Sequence, residues 1–319
     1  MNSKHTGMII FIAAIAVTLI AVVVASYRTP QQAGSVGAGR SSSNEVAVIY
    51  LTGEIGFGGS SSLTGGSSAD QTMQDLERAT DDPGLKAVVL RIDSPGGSPA
   101  ASQELNDQVQ RLKESGKKVV VSCGDLAASG GYYVAVAADK IVADPATLTG
   151  SIGVISTVPN LQDLYGKIGY KEQVFKSGPH KDMLSPSRPI TPEEAQIMQG
   201  IIDDTYAQFV QVVAKGRGLP VDQVRKLADG RVYTGDQAKQ LGLVDELGGL
   251  HEAVALAGKM AGIASPQAVE YHRPGLTDLL RGLGGLSSLG NVQDFVAAAR
   301  LLQGNDLQQL PPAYTTLKF

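Results

Sequence analysis

The sequence predicts an α/β domain in which short buried strands alternate with helices. Apolar runs of strand length occur at residues 46–51, 86–93 and 117–123, and a further strand is expected at 140–143. Helical segments separate these runs, and Gly, Pro, Asp or Ser residues mark most of the junctions. Strands that alternate with helices of about 10–17 residues are typical of sheets with mainly parallel pairing.

Two of the predicted helices have clear start signals. Ser98 can cap a helix that has Pro99 in its first turn and ends at Gly116. Thr191 and Glu194 have the spacing of a capping box at the start of a longer helix. The pattern predicts helices at 69–80, 99–115, 130–138, 191–215, 221–228, 236–241 and 250–261.

The N-terminal segment predicts a membrane anchor. Residues 8–25 contain no charged side chain, and a helix of this length spans about 27 Å, close to the thickness of a bilayer core. This stretch is longer than the apolar part of an ordinary signal peptide, which favours an uncleaved anchor. We expect a cytoplasmic tail at 1–7, an anchor at 8–26, a linker at 27–44, a folded domain at 45–262 and a C-terminal extension at 263–319, with everything after the anchor outside the cytoplasm.

Composition narrows the function classes. The 27 basic and 31 acidic residues give a net charge of −4, and no basic run predicts a nucleic-acid surface. Cys123 is the single cysteine, so an intrachain disulfide is impossible, and its apolar neighbours indicate a buried strand residue. No cluster of metal ligands stands out, and no metal, nucleotide or other cofactor is expected.

Two glycine-containing segments follow predicted strands and suggest acyl-transfer chemistry. Residues 93–98 read DSPGGS, and a glycine turn before a helix exposes N–H groups that can hold an oxyanion. Residues 127–133 read AASGGYY and place Ser129 at a helix start, where its hydroxyl is either a cap or a nucleophile. The N–H groups of Gly130 and Gly97 are candidate oxyanion donors.

A third segment, SGPHKD at residues 177–182, offers a base for a serine nucleophile. His180 and Lys181 are adjacent there, and spacing alone leaves both possible. A lysine acts as a general base only when it is neutral, so its pKa has to fall from about 10.4 toward neutrality.

Together, the motifs at 93–98, 128–133, 149–154 and 177–188 resemble the signal peptide peptidase A family of serine proteases, in its short, unduplicated form. The resemblance implies that Ser129 is the nucleophile and Lys181 the general base, with Ser151 orienting the lysine. It also implies that the N–H groups of Gly97 and Gly130 form the oxyanion hole.

The same resemblance implies a crotonase-like spiral of ββα units, a fold shared with the Clp protease proteolytic subunit. That relative uses a histidine about 25 residues after its serine, and residues 151–156 contain none. The family further implies a ring-shaped homo-oligomer in which a neighbouring subunit donates Lys181. The implied substrates are remnant signal peptides and other unstructured peptides at the membrane.

Three alternatives remain open at this point. A protease specialised for membrane proteins of the stomatin type shares the Ser/Lys pair and the fold. A crotonase-type enzyme acting on acyl-coenzyme A would need a carboxylate base. A non-catalytic membrane scaffold would keep the fold without its chemistry.

Overall fold

A computed structural model describes residues 44–58 and 69–271. The strands are β1 (Glu45–Thr52), β2 (Ala87–Ser94), β3 (Lys118–Ala128), β4 (Lys140–Ala143), β5 (Leu148–Gly150), β6 (Val232–Thr234), β7 (Glu246–Leu247) and β8 (Gln267–Glu270). The helices are α1 (Ala69–Asp81), α2 (Pro99–Glu114), α3 (Gly130–Ala135), α4 (Gln162–Ile168), α5 (Pro192–Arg217), α6 (Val221–Leu227), α7 (Gly235–Gln240) and α8 (Leu250–Met260).

The predicted anchor at 8–26 lies outside the described residues, as do most of the linker and residues 272–319. Among the helices of 44–58 and 69–271, none combines the length and the apolar character that a membrane span requires.

The strands form one mixed sheet in which parallel pairing dominates, as the alternation of strands and helices predicts. Its main order is β6-β5-β3-β2-β1-β8, and β4 pairs with β3 and β7. Of the pairs in this sheet, β5 with β6 is antiparallel and the others are parallel. The strands predicted around 46–51, 86–93, 117–123 and 140–143 are confirmed, and β3 continues five residues further, to Ala128.

The length of β3 allows it to pair with two successive strands on the same side. Val120 to Ser122 pair with β4, whereas Leu126 to Ala128 pair with β5. The second pairing places Gly150 opposite Ala128. The residues that follow these two positions, Ser151 and Ser129, therefore emerge side by side.

Helices cover both faces of the sheet and enclose two apolar clusters. On one face, α8 packs Ala253, Val254 and Ala257 against side chains such as Val89 and Val120. The larger cluster on the other face contains residues of α1, α2, α3 and α5. The start of α3 is thus held in the main core, where Tyr132 and Tyr133 are at most 1% exposed.

The two predicted helix starts are confirmed. The side chain of Ser98 accepts a hydrogen bond from the N–H of Ala101. Thr191 and Glu194 form the reciprocal capping box at the start of α5. These caps satisfy N–H groups that would otherwise lack intrahelical partners.

Residues between β5 and α5 pack little against the rest of their own chain. Helix α4 has no buried residue, and all residues from 166 to 177 are exposed. Several large apolar side chains in this segment face solvent, among them Ile155 at 66%, Ile168 at 66% and Phe175 at 89% exposure. We call residues 152–191 the extension segment.

Candidate functional site

Ser129 lies at the turn where β3 ends and α3 begins. Its backbone has φ 55° and ψ −123°, a conformation that non-glycine residues rarely adopt. The turn is held because the Ser129 N–H donates to Gly150 O at 2.8 Å, and Ser129 O accepts from the N–H of Tyr133 at 2.9 Å. A sharp strand-to-helix turn with strained backbone is the arrangement that presents a nucleophilic serine in other hydrolases.

The hydroxyl of Ser129 is unused within the described structure. The residue is 3% exposed, and its Oγ has no hydrogen-bond partner among the described residues. The side chain also makes no capping bond to α3, so the interpretation of Ser129 as a simple cap is wrong. A buried hydroxyl without a partner is unfavourable unless another group forms a hydrogen bond with it.

The glycine turn after β2 lies directly against Ser129. A Cβ built on Gly96 would be 2.6 Å from Gly130 N and 2.8 Å from the Ser129 Cβ. A Cβ built on Gly130 would be 3.3 Å from Gly97 N. Only residues without side chains can approach this closely, and the approach brings the amides of Gly97 and Gly130 together beside the Ser129 side chain.

Hydrogen bonds fix the turn and leave these two amides free. Ile55 N donates to Gly96 O at 2.8 Å, and Ser98 N donates to Ile55 O at 2.7 Å. Within the described part of the chain, the N–H groups of Gly97 and Gly130 have no hydrogen-bond acceptor. A developing oxyanion needs free hydrogen-bond donors, and these two amides lie beside a hydroxyl that is free to attack.

Ser151 adjoins this centre from β5. It has φ 49°, and its N–H donates to Arg231 O at 2.8 Å. Among the described non-glycine residues, Ser129 and Ser151 are the two with positive φ. Strained backbone of this kind concentrates at functional sites, and here it occurs at two neighbouring serines.

A cavity of about 320 Å³ opens next to Ser151. One wall is the start of the extension segment, including Val154 and Ile155, and the other comes from α5, including Ile202 and Tyr206. The Tyr206 hydroxyl donates to Ala228 O at 2.8 Å, which joins α5 to the turn after α6, and Ala228 also lines the cavity. The cavity is mainly apolar and has room for an apolar side chain.

Lys181 lies on the extension segment and does not bond to Ser129 of its own chain. Lys181 is exposed, and the Ser129 Oγ has no hydrogen-bond partner in the described structure. The neighbouring His180 directs Nε2 toward a carboxylate oxygen of Glu193 at 3.6 Å, while its Nδ1 is buried without a hydrogen bond in the described structure.

Three supporting residues were not singled out by sequence reasoning. Ser94 donates to Gly53 O at 2.6 Å and accepts from Gly96 N at 3.1 Å, so it shapes the glycine turn. Ser102 on α2 leaves no room for a side chain on Gly130, because a Cβ there would lie 2.5 Å from its Oγ. Gly96, the residue that touches Ser129, belongs to the DSPGGS motif, which was the available signal.

Two other expectations concern reactive or ligating groups. Cys123 lies in β3 and is 1% exposed, and burial raises the pKa of its thiol to about 12. It is therefore a protonated core residue, as its apolar neighbours predict. In the described residues, no group of three or more His, Cys, Asp or Glu side chains is arranged to hold a metal ion.

The chain is similar to several named proteases. A putative protease of Synechocystis is 49% identical over 184 residues, which cover 58% of this chain and 66% of the relative. The chloroplastic serine protease SPPA of Arabidopsis thaliana is 38% identical over 249 residues, or 76% of this chain and 37% of the relative. A putative signal peptide peptidase SppA of Enterococcus faecium is 38% identical over 61% of this chain and 57% of the relative. The chain thus covers at most about two thirds of the length of each of these three relatives.

The family comparison agrees with these relatives. Residues 111–264 match the model of peptidase family S49, a range that includes Ser129, Ser151 and Lys181. The resemblance inferred from the four motifs is confirmed: the chain belongs to peptidase family S49, the serine peptidase family of signal peptide peptidase A.

Proposed function

We propose that this protein is a membrane-anchored serine endopeptidase whose nucleophile is Ser129 and whose general base is Lys181. The observation that carries the proposal is the centre at the start of α3: an unpartnered, buried Ser129 hydroxyl beside the free N–H groups of Gly97 and Gly130. Relatives named as serine protease and signal peptide peptidase support the same chemistry.

The proposed reaction begins with proton transfer. Neutral Lys181 Nζ takes the proton of the Ser129 hydroxyl while Oγ forms a bond to the carbonyl carbon of the peptide. The carbonyl oxygen becomes an oxyanion and accepts hydrogen bonds from the N–H groups of Gly97 and Gly130. Ser151, adjacent to Ser129, orients the lysine amine.

The intermediate then collapses to an acyl-enzyme. The C–N bond breaks, and the departing amine takes the proton from the Lys181 ammonium. Lys181, neutral again, removes a proton from a water molecule that attacks the Ser129 ester. Breakage of that ester releases the carboxylic acid, and the proton returns to Ser129 Oγ. The cycle balances without a metal or cofactor.

The lysine is proposed to come from a neighbouring subunit. In its own chain, Lys181 is exposed and the Ser129 hydroxyl lacks a partner. An active site shared between copies satisfies both groups at once. A closed ring gives every Ser129 one such neighbour, because a head-to-tail interface repeats until it closes.

Exposed apolar side chains on the extension segment support this assembly. Ile155, Ile168 and Phe175 are each at least 66% exposed, and clusters of exposed apolar residues mark interaction surfaces. These residues belong to the same segment as Lys181. A second copy that covers them would also receive the lysine.

The sheet supports the finer fold assignment of a crotonase-like spiral of ββα units. The double pairing of β3 with β4 and then β5 turns the sheet through successive strands on one side. This turn is also what brings Ser151 to Ser129. The proposed fold and the proposed site therefore depend on the same strand.

Unstructured apolar peptides at the membrane, including remnants of signal peptides, are the proposed substrates. The apolar cavity beside Ser151 suits a large apolar side chain near the scissile bond. The uncharged stretch at 8–25 supports a single-pass anchor that keeps the catalytic domain at the membrane surface, outside the cytoplasm.

The test compares single substitutions in the full-length, membrane-extracted protein. Ser129→Ala should abolish cleavage of an apolar signal-peptide fragment, and Lys181→Ala should leave only a low residual rate. A fluorophosphonate probe should label the unsubstituted protein but not Ser129→Ala. His180→Ala should retain activity and labelling. A Ser129→Ala protein that cleaves at the unsubstituted rate, or probe labelling that persists in it, would overturn the proposal.

A further inference from the structure

Five polar residues connect the loop that carries Lys181 to the start of α5. They form an unbroken chain of hydrogen bonds and ion pairs, which we call the loop network. Its members are Lys176, Asp182, Arg188, Thr191 and Glu194.

One end of the loop network binds Asp182, the residue after Lys181. Lys176 Nζ donates to Asp182 Oδ1 at 2.8 Å. Arg188 donates to the same carboxylate twice, from Nη2 at 2.8 Å and from Nε at 3.2 Å, and Nη2 also reaches the Asp182 carbonyl oxygen at 3.3 Å. The side chain and the backbone of Asp182 are therefore both fixed by one guanidinium.

The other end is built into α5. Arg188 donates to Glu194 Oε1 at 2.6 Å and to Oε2 at 2.9 Å. Glu194 is 2% exposed and also accepts from the Thr191 N–H at 2.9 Å, as part of the capping box. Arg188 thus joins the loop to a buried carboxylate in the first turn of a 26-residue helix.

The charges of the loop network reinforce one another. Hydrogen bonds from Arg188, and then from Lys176, hold the pKa of the Asp182 carboxyl well below its usual range. Hydrogen bonds from Arg188, and then from the Thr191 backbone, lower the pKa of Glu194 to about 2. Both carboxylates therefore stay ionised near neutral pH, and the bonds to Arg188 persist there.

Apolar packing gives little support just before the loop. Residues 166–177, which lead into it, are all exposed, whereas residues 182–188 are half-buried. The backbone around Lys181 turns on itself through Lys181 N to Gly178 O at 3.3 Å and Met183 N to His180 O at 3.2 Å. Turns of this kind shape the loop. Two further contacts attach it, from His180 Nε2 to Glu193 at 3.6 Å and from Leu161 N to Pro186 O at 2.7 Å, but Arg188 makes the paired charged bonds to Asp182 and to α5.

We propose that Arg188 is a positioning residue for Lys181: its guanidinium fork locks the loop to α5 so that the amine is presented at a fixed distance and angle. This inference rests on the proposed role of Lys181 as the base. Only an arginine reaches both carboxylates with paired N–H groups, because an ammonium is a single point of contact on a flexible stem. Arg188 touches no reacting atom and acts through Lys181.

The test is a double-substitution cycle with Arg188→Lys and Lys181→Ala, measured as kcat and KM on a fluorogenic apolar peptide. In the unsubstituted background, Arg188→Lys should lower kcat by about 10- to 100-fold, as small misplacements of a reacting group do, with KM within about twofold. In the Lys181→Ala background it should change the residual rate less than twofold, because the group that it positions is gone. Asp182→Asn, which keeps the side-chain volume and weakens the same link, should behave like Arg188→Lys.

Arg78→Lys is the matched control, because Arg78 also pairs with a carboxylate, that of Asp75 on α1. This substitution should change kcat less than twofold. Size-exclusion chromatography verifies that each variant assembles like the parent. Wild-type kcat in Arg188→Lys, or the same fold loss with and without Lys181, would overturn the inference. If Ser129→Ala is inactive and Lys181→Ala keeps only its low residual rate in that case, the proposed function stands and only the role of Arg188 fails.

Discussion

The two halves of the proposed active site are built in opposite ways. The half that contains Ser129 is buried, closely packed and formed by backbone, with amides of Gly97 and Gly130 as its working groups. The half that contains Lys181 lies on an exposed segment held by charged side chains. A backbone site tolerates almost no added atoms, whereas a segment held by ion pairs depends on charge and on what covers it. Substitutions should therefore fail for different reasons in the two halves.

The largest effect is expected from closing the space between the amides. Gly96→Ala places a methyl group 2.6 Å from Gly130 N, so the Gly130 amide can no longer reach an oxyanion. We expect kcat to fall at least about 100- to 1,000-fold, the cost of losing one oxyanion donor.

Gly116→Ala separates this effect from backbone strain. Gly116 has φ 92°, close to the 96° of Gly96, but no atom lies within 4 Å of its built Cβ. It should lose stability and keep kcat. Equal kcat values for Gly96→Ala and Gly116→Ala would contradict the proposed oxyanion hole.

A charge placed on the extension segment should lower activity by weakening the assembly of copies. Phe175 is 89% exposed, so Phe175→Asp should leave the fold of the chain intact and weaken the contact between copies. We expect a smaller species in analytical ultracentrifugation and activity that rises with protein concentration. Phe175→Leu keeps the surface apolar and should retain the mass and the activity of the parent. An unchanged mass in Phe175→Asp would show that this surface is not an interface.

Acid should loosen the Lys181 half before the Ser129 half. The pKa values of Asp182 and Glu194 are lowered in the folded chain, so their contribution to stability is complete above their unfolded values near 4 and is lost as pH falls through the folded values. Hydrogen exchange of residues 176–188, corrected for intrinsic rates, should therefore be unchanged from pH 7 to about 5. It should accelerate only as pH falls from about 4 toward 2. Acceleration already between pH 7 and 5 would contradict this.

The smallest effect is expected in the core behind Ser129. Tyr132 donates from its hydroxyl to Leu243 O at 2.8 Å, and Tyr132→Phe leaves that carbonyl without this partner. The free energy of unfolding should fall by about 1–3 kcal/mol in urea titration. Tyr170→Phe removes a hydroxyl from a residue that is 52% exposed and should change it by less than about 0.5 kcal/mol. A loss as large in Tyr170→Phe would argue against the buried bond.

Local patterns predicted the elements whose signals lie within a few residues. The cap at Ser98, the capping box of Thr191 and Glu194, and the buried strands were all legible because each depends on neighbours in the chain. The sequence did not predict β5, β6 and β7, which have two or three residues each. These strands form because they pair with distant strands. The helix α4 was missed because it buries no face and so carries no clear apolar stripe.

The site shows the same division. The motifs pointed to Ser129, Gly97 and Gly130 individually, but the contact of Gly96 with Ser129 depends on how β2 and β3 end in the sheet. The positive φ of Ser129 and Ser151 has no signal in residue type. Arg188 lies in the motif at 177–188, but the sequence does not show that Asp182 and Glu194 share its guanidinium.

Complementation between inactive subunits tests the central claim most directly. Ser129→Ala chains retain the lysine, and Lys181→Ala chains retain the serine, so a mixed oligomer can pair an intact Ser129 with an intact Lys181 only across a subunit boundary. After dissociation and reassembly together, we expect peptide cleavage and probe labelling to return, at about a quarter of the parent activity for random 1:1 mixing. Mixed oligomers that form but stay inactive would contradict a Ser129 and Lys181 site shared between neighbouring copies.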